Sequence, residues 1–275
     1  MTSPSENSPQ ASPLLKSQAL CLSVRPFSKT SQMVTWLTLD HGRVTTPVKG
    51  AQRPKSAFIG RYDVGYTCEL VFYAREREGV HHIRECTPLR LREGLRGSWR
   101  AAEAAAYACD LTMRTAQPGM ANPALFRALG DLLDTLPACA PHEATLALLW
   151  FESTLLHAVG LGPDFAPCPQ CAPTPRRLFS VEEGRFLCEH RPSRLRTPPT
   201  LTLHDDVPAL YRRFLGEPLA KTLLEARAAD RRDDLGRPEP FPGIFGLRRF
   251  LGVFLSAHLD LPPGPRRTAL DLLIG

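Results

Sequence analysis

The chain has 275 residues, 43% of them hydrophobic, with 34 Lys and Arg against 28 Asp and Glu for a net charge of +6. That length accommodates two domains with separate cores, and the apolar share excludes a fully disordered chain. No stretch nears the roughly eighteen uninterrupted apolar residues of a membrane span, and the first residues lack the basic and apolar segments of a secretory signal, so a cytosolic setting is expected.

Residues 1–18, rich in Ser and Pro, are expected to form a disordered tail. From residue 19 to about 90 the pattern is that of short strands. Residues 19–27 and 32–40 are β-rich runs, and Asp40-His41-Gly42 supplies a hairpin turn with Gly42 free to take a positive φ. Residues 43–49 return as a third strand. In the fourth, Tyr62, Val64, Tyr66, Cys68, Leu70 and Phe72 alternate with mostly polar neighbours and read as its core face. A turn near Glu78-Gly79 leads to a fifth strand through His82 to Cys86. Five short strands in so few residues fit an OB-like barrel, with an SH3-like barrel as the structural rival. Trp36 reads as core. His81 and His82, adjacent on a strand, point to opposite faces and cannot share a metal.

Charge is distributed unevenly. Residues 16–61 carry eight Lys and Arg against the single acid Asp40, a balance of +7 that leaves −1 for everything else. The stretch holds Arg25, Lys29, Arg43, Lys49, Arg53, Lys55 and Arg61. A solvated loop would explain some of this. Concentration within a strand module, close to Trp36, Phe58, Tyr62 and Tyr66, points instead to a nucleic-acid grip, since cationic loops beside aromatic platforms on a small barrel hold single strands. Gly50 to Ser56 only faintly resembles a phosphate loop: it lacks the second glycine, and Pro54 removes an amide donor.

After Pro88 the composition turns helical. Residues 92–115 place Leu95, Trp99, Ala102, Ala106, Cys109 and Met113 on one stripe. Asn122-Pro123 starts a second helix carrying Leu125, Leu129, Leu132 and Leu136, and a third spans residues 141–159 with Ala144, Leu148, Phe151 and Leu155 inward. Residues 191–202 read as a connector. Helices are expected at 207–215, 218–229 and 241–259, with a charged loop at 230–240 and His258 as a surface or dipole-facing residue and not a ligand.

Five of the eight cysteines (Cys21, Cys68, Cys86, Cys109, Cys139) stand alone, as small buried thiols in a reducing compartment do. The other three cluster. Cys168 and Cys171 form a C-x-x-C turn, and Cys188 and His190 follow, so three sulfurs and one imidazole can converge on a structural Zn2+. The competing picture is a knuckle that packs without metal. Pro167-Cys168-x-x-Cys171 also matches half of the zinc nucleobase-deaminase signature, but the upstream His-x-Glu is absent: His142-Glu143 has the wrong spacing and His157 is followed by Ala and Val. No enzyme is expected. The fold class read from the residues is α+β: a five-stranded OB-like β-barrel over 19–90, a helical domain over 91–163 and 196–275, and a Cys-rich zinc-knuckle-like insertion over 164–195.

Several of these stretches together resemble the RecO family of bacterial recombination mediators. Residues 34–43 are similar to its hairpin and residues 49–56 to its basic loop. Asn122 to Phe126, Trp150-Phe151-Glu152 and Leu161-Gly162-Pro163 look like its helical landmarks, and the likeness runs from about residue 19 to 259. The resemblance implies binding of single- and double-stranded DNA, strand annealing in DNA repair, and loading of RecA onto strands coated by single-strand-binding protein, at the nucleoid. It also implies a RecR-like partner and docking of the single-strand-binding protein's acidic C-terminal tail on the helical domain. Family members that carry zinc have two C-x-x-C pairs, whereas here Arg191 holds the fourth position and His190 stands one residue earlier. A different class of function, a non-catalytic adaptor whose basic barrel meets an acidic protein, is the alternative; failure to retain any oligonucleotide at low salt would favour it.

Overall fold

The fold was taken from a computed structural model, which describes residues 12–74, 80–171, 176–195, 199–229, 241–259 and 261–271. The turn expected at Glu78-Gly79 and the charged loop expected at 230–240 lie outside the described residues. The chain divides into two units, residues 1–91 with 117–121 and residues 92–116 with 122–275.

The first unit is built on one antiparallel sheet. Strands β1 (Leu14–Pro26), β2 (Gln32–Thr38), β3 (Gly42–Val48), β4 (Thr67–Tyr73) and β5 (His82–Arg90) lie in the order β3-β2-β1-β4-β5. Strand β1 starts at Leu14, so residues 14–18 are sheet and do not belong to a tail, because they pair with residues 69–73 of β4. The expected barrel is OB-like in layout but not closed. Among the described residues its outer edges meet through a parallel bridge between Thr45 of β3 and Val80, just ahead of β5, with the His81 amide donating to the Thr45 carbonyl at 2.8 Å. The two-residue period explains the core: Ala19 and Cys21, Val34 and Trp36, Val44 and Val48, and Cys68, Leu70 and Phe72 are all buried on one face. Buried Trp36 satisfies its indole N–H on Thr46 Oγ1 at 2.9 Å. Ahead of Thr67 the expected alternation fails. Gly65, at φ +84°, turns the chain there, and Val64, expected inward, is exposed.

The β2–β3 turn needs its glycine twice over. Gly42 has φ +64°, and a Cβ there would meet the Gln117 and Met120 carbonyl oxygens at 2.3 and 2.4 Å. The same turn is tied by Thr38, whose hydroxyl donates to the Gly42 carbonyl at 2.8 Å. Gly42→Ala is therefore expected to destabilise the protein by about 2 kcal/mol or more. Urea unfolding would show this as a lower midpoint at unchanged slope. An unaltered midpoint would mean that the 117–120 segment moves aside without resistance.

In the second unit, α1 (Gly94–Gly97) and α2 (Trp99–Thr115) are separate helices, because Ser98 leaves the helical conformation to cap α2 through the Ala101 amide. That break rotates the apolar face away from the expected stripe. Trp99, Ala102 and Ala106 are exposed, while Ala101, Ala104, Ala105, Ala108, Leu111 and Thr112 face inward. Helix α3 (Pro123–Thr135) is capped as its sequence predicts, with Asn122 Oδ1 accepting from the Leu125 amide at 3.0 Å. A 3-10 turn over Leu136–Ala138 follows, then α4 (Pro141–Ala158), which is buried on nearly all sides and packs against α2 and α3 and against the later helices α5 (Asp206–Gly216), α6 (Leu219–Ala228) and α7 (Ile244–Leu259). Helix α8 (Pro263–Asp271) follows α7.

Between α4 and α5 lies a small antiparallel sheet that the pattern of residues did not announce. Strands β6 (Arg176–Ser180), β7 (Arg185–Phe186) and β8 (Thr200–His204) run in the order β7-β6-β8, so the expected connector over 191–202 ends in strand. Phe179 and Phe186 join Phe165, Tyr211, Phe250 and Phe254 in one aromatic cluster. This plants the sheet on the helices. His258, expected at the surface, is half-buried: its Nε2 lies 2.8 Å from the Val181 carbonyl and its ring packs against Phe254. Among the described residues no helix is long and apolar enough to cross a membrane.

Candidate nucleic-acid interface and metal centre

The cations of the first unit converge through backbone bonds. Arg25 lies one residue before the end of β1, and Pro26, Gln32 and Val48 are neighbours across β1, β2 and β3. Lys29 in the β1–β2 loop and Lys49 after β3 therefore emerge at the same end of the sheet. Two bonds stitch the loops together: the Gln52 amide donates to the Thr30 carbonyl at 3.0 Å, and the Gly50 amide to Ser31 Oγ at 3.2 Å. The Arg53 side chain lies back over Gly50, 3.1 Å from where a Cβ would stand. Tyr62 then ties residue 61 to this end by donating its hydroxyl to Gln32 Oε1 at 2.6 Å. Burial raises the Tyr62 pKa well above the usual phenol range, so it stays a donor. The thiols of Cys68 and Cys86 donate to the Arg61 carbonyl at 3.5 and 3.7 Å, anchoring that residue's backbone while its side chain is exposed.

Six of the seven predicted cations, Arg25, Lys29, Lys49, Arg53, Lys55 and Arg61, are exposed, and no ion pair among the described residues involves them. Arg43 is the exception. It sits at the other end of β3, about 20 Å away at the rise of an extended strand, where its amide donates to the Gln117 carbonyl. The only acid of the stretch, Asp40, is at that far end too, accepting from Ser17 Oγ at 2.6 Å. The near end thus keeps its positive field unneutralised from within the stretch.

The aromatic residues are arranged differently from expectation. Trp36 and Tyr66 are buried, and Phe58 and Tyr62 pack half-buried against the core. Trp36 and Tyr66 therefore offer no face for stacking. Phe27, in the β1–β2 loop two residues from Lys29, is 59% exposed and was missed. Its signal was its place between Pro26 and Ser28 outside the strand alternation, where an aromatic has no core to enter.

The second unit brings together all four predicted metal ligands. Cys168, Cys171, Cys188 and His190 place one ligand atom each within 4.8 Å of all the others. The first pair is held by a turn in which the Cys171 amide donates to the Cys168 carbonyl at 3.2 Å. The one-residue gap of the second pair is solved by another turn: Cys188 and Arg191 exchange backbone bonds at 3.3 and 3.1 Å, with Glu189 and His190 at the corner. His190 Nδ1 thereby comes 3.2 Å from Cys171 Sγ. Arg191, in the position of a fourth thiol, turns its guanidinium to Asp164 at 3.2 Å.

This corner is braced from behind. Arg185 on β7 donates to the Arg191 and Pro192 carbonyls at 3.1 and 3.0 Å, and Glu183 accepts from Arg185, from the Ser193 hydroxyl and from the Arg194 amide. Those bonds hold the Glu183 carboxyl below its ordinary range, Ser193 first. Burial opposes ionisation of Cys188, but hydrogen bonds from the other two thiols and from the Arg191 and His190 amides outweigh it and lower its pKa. Hydrogen bonding to Cys188, then burial, raises that of Cys171. The donor set suits one metal: a tetrahedral ion with about 2.3 Å bonds to sulfur needs ligand atoms about 3.8 Å apart, and a quartet within 4.8 Å needs only a small inward movement to reach that spacing. Of the other cysteines, Cys21, Cys68, Cys86 and Cys109 are buried and Cys139 is half-buried, in line with their reading as packing residues.

Two family models match the chain. Recombination protein O N terminal covers residues 13–92, and Recombination protein O C terminal covers residues 96–267. A DNA repair protein RecO of Desulforudis audaxviator is 27% identical over 206 residues, 74% of this chain and 80% of the relative. One from Alkaliphilus metalliredigens is 28% identical over 178 residues, covering 64% and 71%. Another from Rhodopirellula baltica is 28% identical over 186 residues, covering 64% and 66%. Since each of the two units described above meets its own model and the two models leave only short stretches uncovered, the chain belongs to the RecO family of DNA repair proteins.

Proposed function

We propose that the chain is a DNA-binding recombination mediator with no chemical step of its own. It grips the sugar-phosphate backbone at the cation-rich end of the first sheet, brings complementary single strands together, and helps load RecA onto strands coated by single-strand-binding protein. The observation that carries this reading is the gathering of exposed Arg25, Lys29, Lys49, Arg53, Lys55 and Arg61 beside exposed Phe27. Cations that follow the backbone leave the base edges free, which annealing requires, and an exposed ring stacks on any base. Neutralising phosphates on two strands at once also lowers their mutual repulsion. A RecR-like protein and the acidic tail of single-strand-binding protein, docking on the helical unit, complete the set of partners, and the setting is the cytosol at the nucleoid.

The metal belongs to the same proposal as structural Zn2+, held by Cys168, Cys171, Cys188 and His190. Bound there, it would cross-link the 168–171 turn to the β7 corner and make folding of that region metal-dependent.

Binding is expected to be strongly salt-dependent. With about four phosphates neutralised, log K for a single strand should fall against log salt with a slope of roughly −3. Removing Arg53 and Lys55 together by alanine substitution should flatten the slope by about one to two units, whereas Arg43→Ala, at the far end of β3, should leave it nearly unchanged. Fluorescence anisotropy on a labelled oligonucleotide across a salt series reads all three slopes. Equal effects at both ends would remove the proposed site. The broader function is tested by annealing of complementary oligonucleotides coated with single-strand-binding protein, with and without this chain; no acceleration would sink the mediator reading.

A further inference from the structure

Among the described residues, the small sheet of the second unit ends in a strand that nothing pairs on its outer side. Its order β7-β6-β8 makes β8 an edge, and the hydrogen-bond phase of that edge follows from two bonds. The Val181 amide donates to the Pro199 carbonyl at 3.0 Å, and the Leu187 amide donates to the Leu178 carbonyl at 2.8 Å. With Ser180 opposite Thr200 and Phe179 opposite Leu201, Pro199, Leu201 and Leu203 turn their backbone groups toward β6. Thr200, Thr202 and His204 therefore direct their N–H and C=O groups outward. Among the described residues nothing pairs with them.

Edges of this kind are ordinarily blunted by Lys, Pro, a bulge or a covering segment. This one is Thr-Leu-Thr-Leu-His in regular register, with exposed Thr200, Thr202 and His204 alternating with half-buried Leu201 and buried Leu203. A cavity of about 480 Å³ runs along it. Its other wall is Val207 of α5 with Gly246, Arg249 and Phe250 of α7. Arg249 is exposed, and among the described residues no ion pair holds it. The site offers a ladder of backbone donors and acceptors, a mixed polar and apolar wall and, among the described residues, one guanidinium without an ion-pair partner.

We infer that the β8 edge and its groove form a docking site for an extended peptide segment of a partner protein, which adds as a fourth strand and sets a carboxylate against Arg249. Backbone pairing supplies the affinity, and the pocket and the charge supply the selectivity. Charge complementarity favours such a peptide over a second copy of this chain, because two β8 edges paired about a two-fold axis would bring two Arg249 side chains into one groove with no acid on this strand to meet them. This proposal is independent of the DNA-binding reading, since it uses none of the cations of the first unit.

The test uses the full chain and a fluorescein-labelled peptide of alternating Val and Thr flanked by Glu. A second peptide has the same side chains but every other backbone amide N-methylated. The first should bind saturably and slow amide exchange at Thr200, Thr202 and His204, leaving Leu201 and Leu203 as they were; the N-methylated peptide should bind at least tenfold more weakly. Thr202→Pro removes an outward N–H that β6 does not use, and should weaken the first peptide by a factor of ten or more. Arg249→Ala should weaken it severalfold and remove its salt dependence. Should Thr202→Pro fail to fold, the two peptides on the unaltered chain still discriminate. Equal binding of the two peptides, no binding of either, or slow exchange at Thr200, Thr202 and His204 before peptide is added would overturn the proposal. So would a concentration-dependent dimer that dissociates on peptide addition, which would assign the edge to a second copy.

Discussion

Replacing Glu152 with alanine is expected to lower stability by about 3–5 kcal/mol, the range for removing one partner of a buried ion pair. Glu152 is fully buried on α4. Its carboxylate accepts from Tyr107 on α2 at 2.6 Å and from Arg266 on α8 at 2.7 and 2.8 Å, and the Arg266 side chain is only 13% exposed. The same guanidinium donates to the Arg248 carbonyl of α7 at 3.1 Å. The Glu152 carboxylate and the Arg266 guanidinium together fasten α8 to three other helices, and without the carboxylate a buried charge loses its counter-ion and a buried hydroxyl loses its acceptor. Burial, followed by the neighbouring carboxylate, raises the Tyr107 pKa well above the usual phenol range, so this hydroxyl remains a donor. Tyr107→Phe should cost less, about 1.5–3 kcal/mol for a hydrogen bond to a charged group. Arg266→Met alone should be as damaging as Glu152→Ala, while Glu152→Met with Arg266→Met should recover much of the loss. Urea unfolding of these variants, with Glu152→Met alone to close the cycle, gives the coupling. If Glu152→Ala lies within about 1 kcal/mol of the parent, well short of that range, the network is not a clamp.

The second large effect concerns the metal. Protein grown with zinc is expected to carry one equivalent, and chelation should unfold the region around the small sheet while the α2–α4 core persists. Structural zinc in finger peptides is worth about 10–16 kcal/mol in apparent binding at neutral pH, so removal cannot be silent here if the site is filled. Cys188→Ser should release the metal. Thiol titration provides a second readout: Cys168, Cys171 and Cys188 are half-exposed and should react slowly until chelator is added, whereas the four buried thiols should stay slow throughout. Metal content far below one equivalent, with all three thiols reacting equally fast before and after chelation, would show a knuckle that packs without an ion.

Much of this was legible in the residues because the relevant signals are local. The alternation of Cys68, Leu70 and Phe72, the Asn122-Pro123 helix start, the glycine of the β2–β3 turn and the C-x-x-C pair each depend on chain geometry within a few residues. What could not be read depended on long-range partners. Ser98 looks like any helical serine until its hydroxyl caps α2, and that choice turns Trp99 outward. Residues 176–180 are too short and too mixed to announce a strand, and they become one because Phe179 has an aromatic cluster to enter. Glu152 was visible only as part of a family landmark; its two partners lie 45 and 114 residues away in the chain.

By itself the sequence determined the fold class, the concentration of net positive charge in residues 16–61 and the identity of the four metal-ligand candidates, since composition and short-range periodicity carry all three. Only the tertiary structure decided which cations share a surface. Strand register places Lys29, Lys49 and Arg53 together and carries Arg43 to the opposite end of β3. It also decided how His190 reaches the thiols across a one-residue gap, through the backbone turn between Cys188 and Arg191. The physical reason is the same in both cases: charge and ligand type belong to single residues, whereas distance is set by hydrogen bonds between segments that lie apart along the chain.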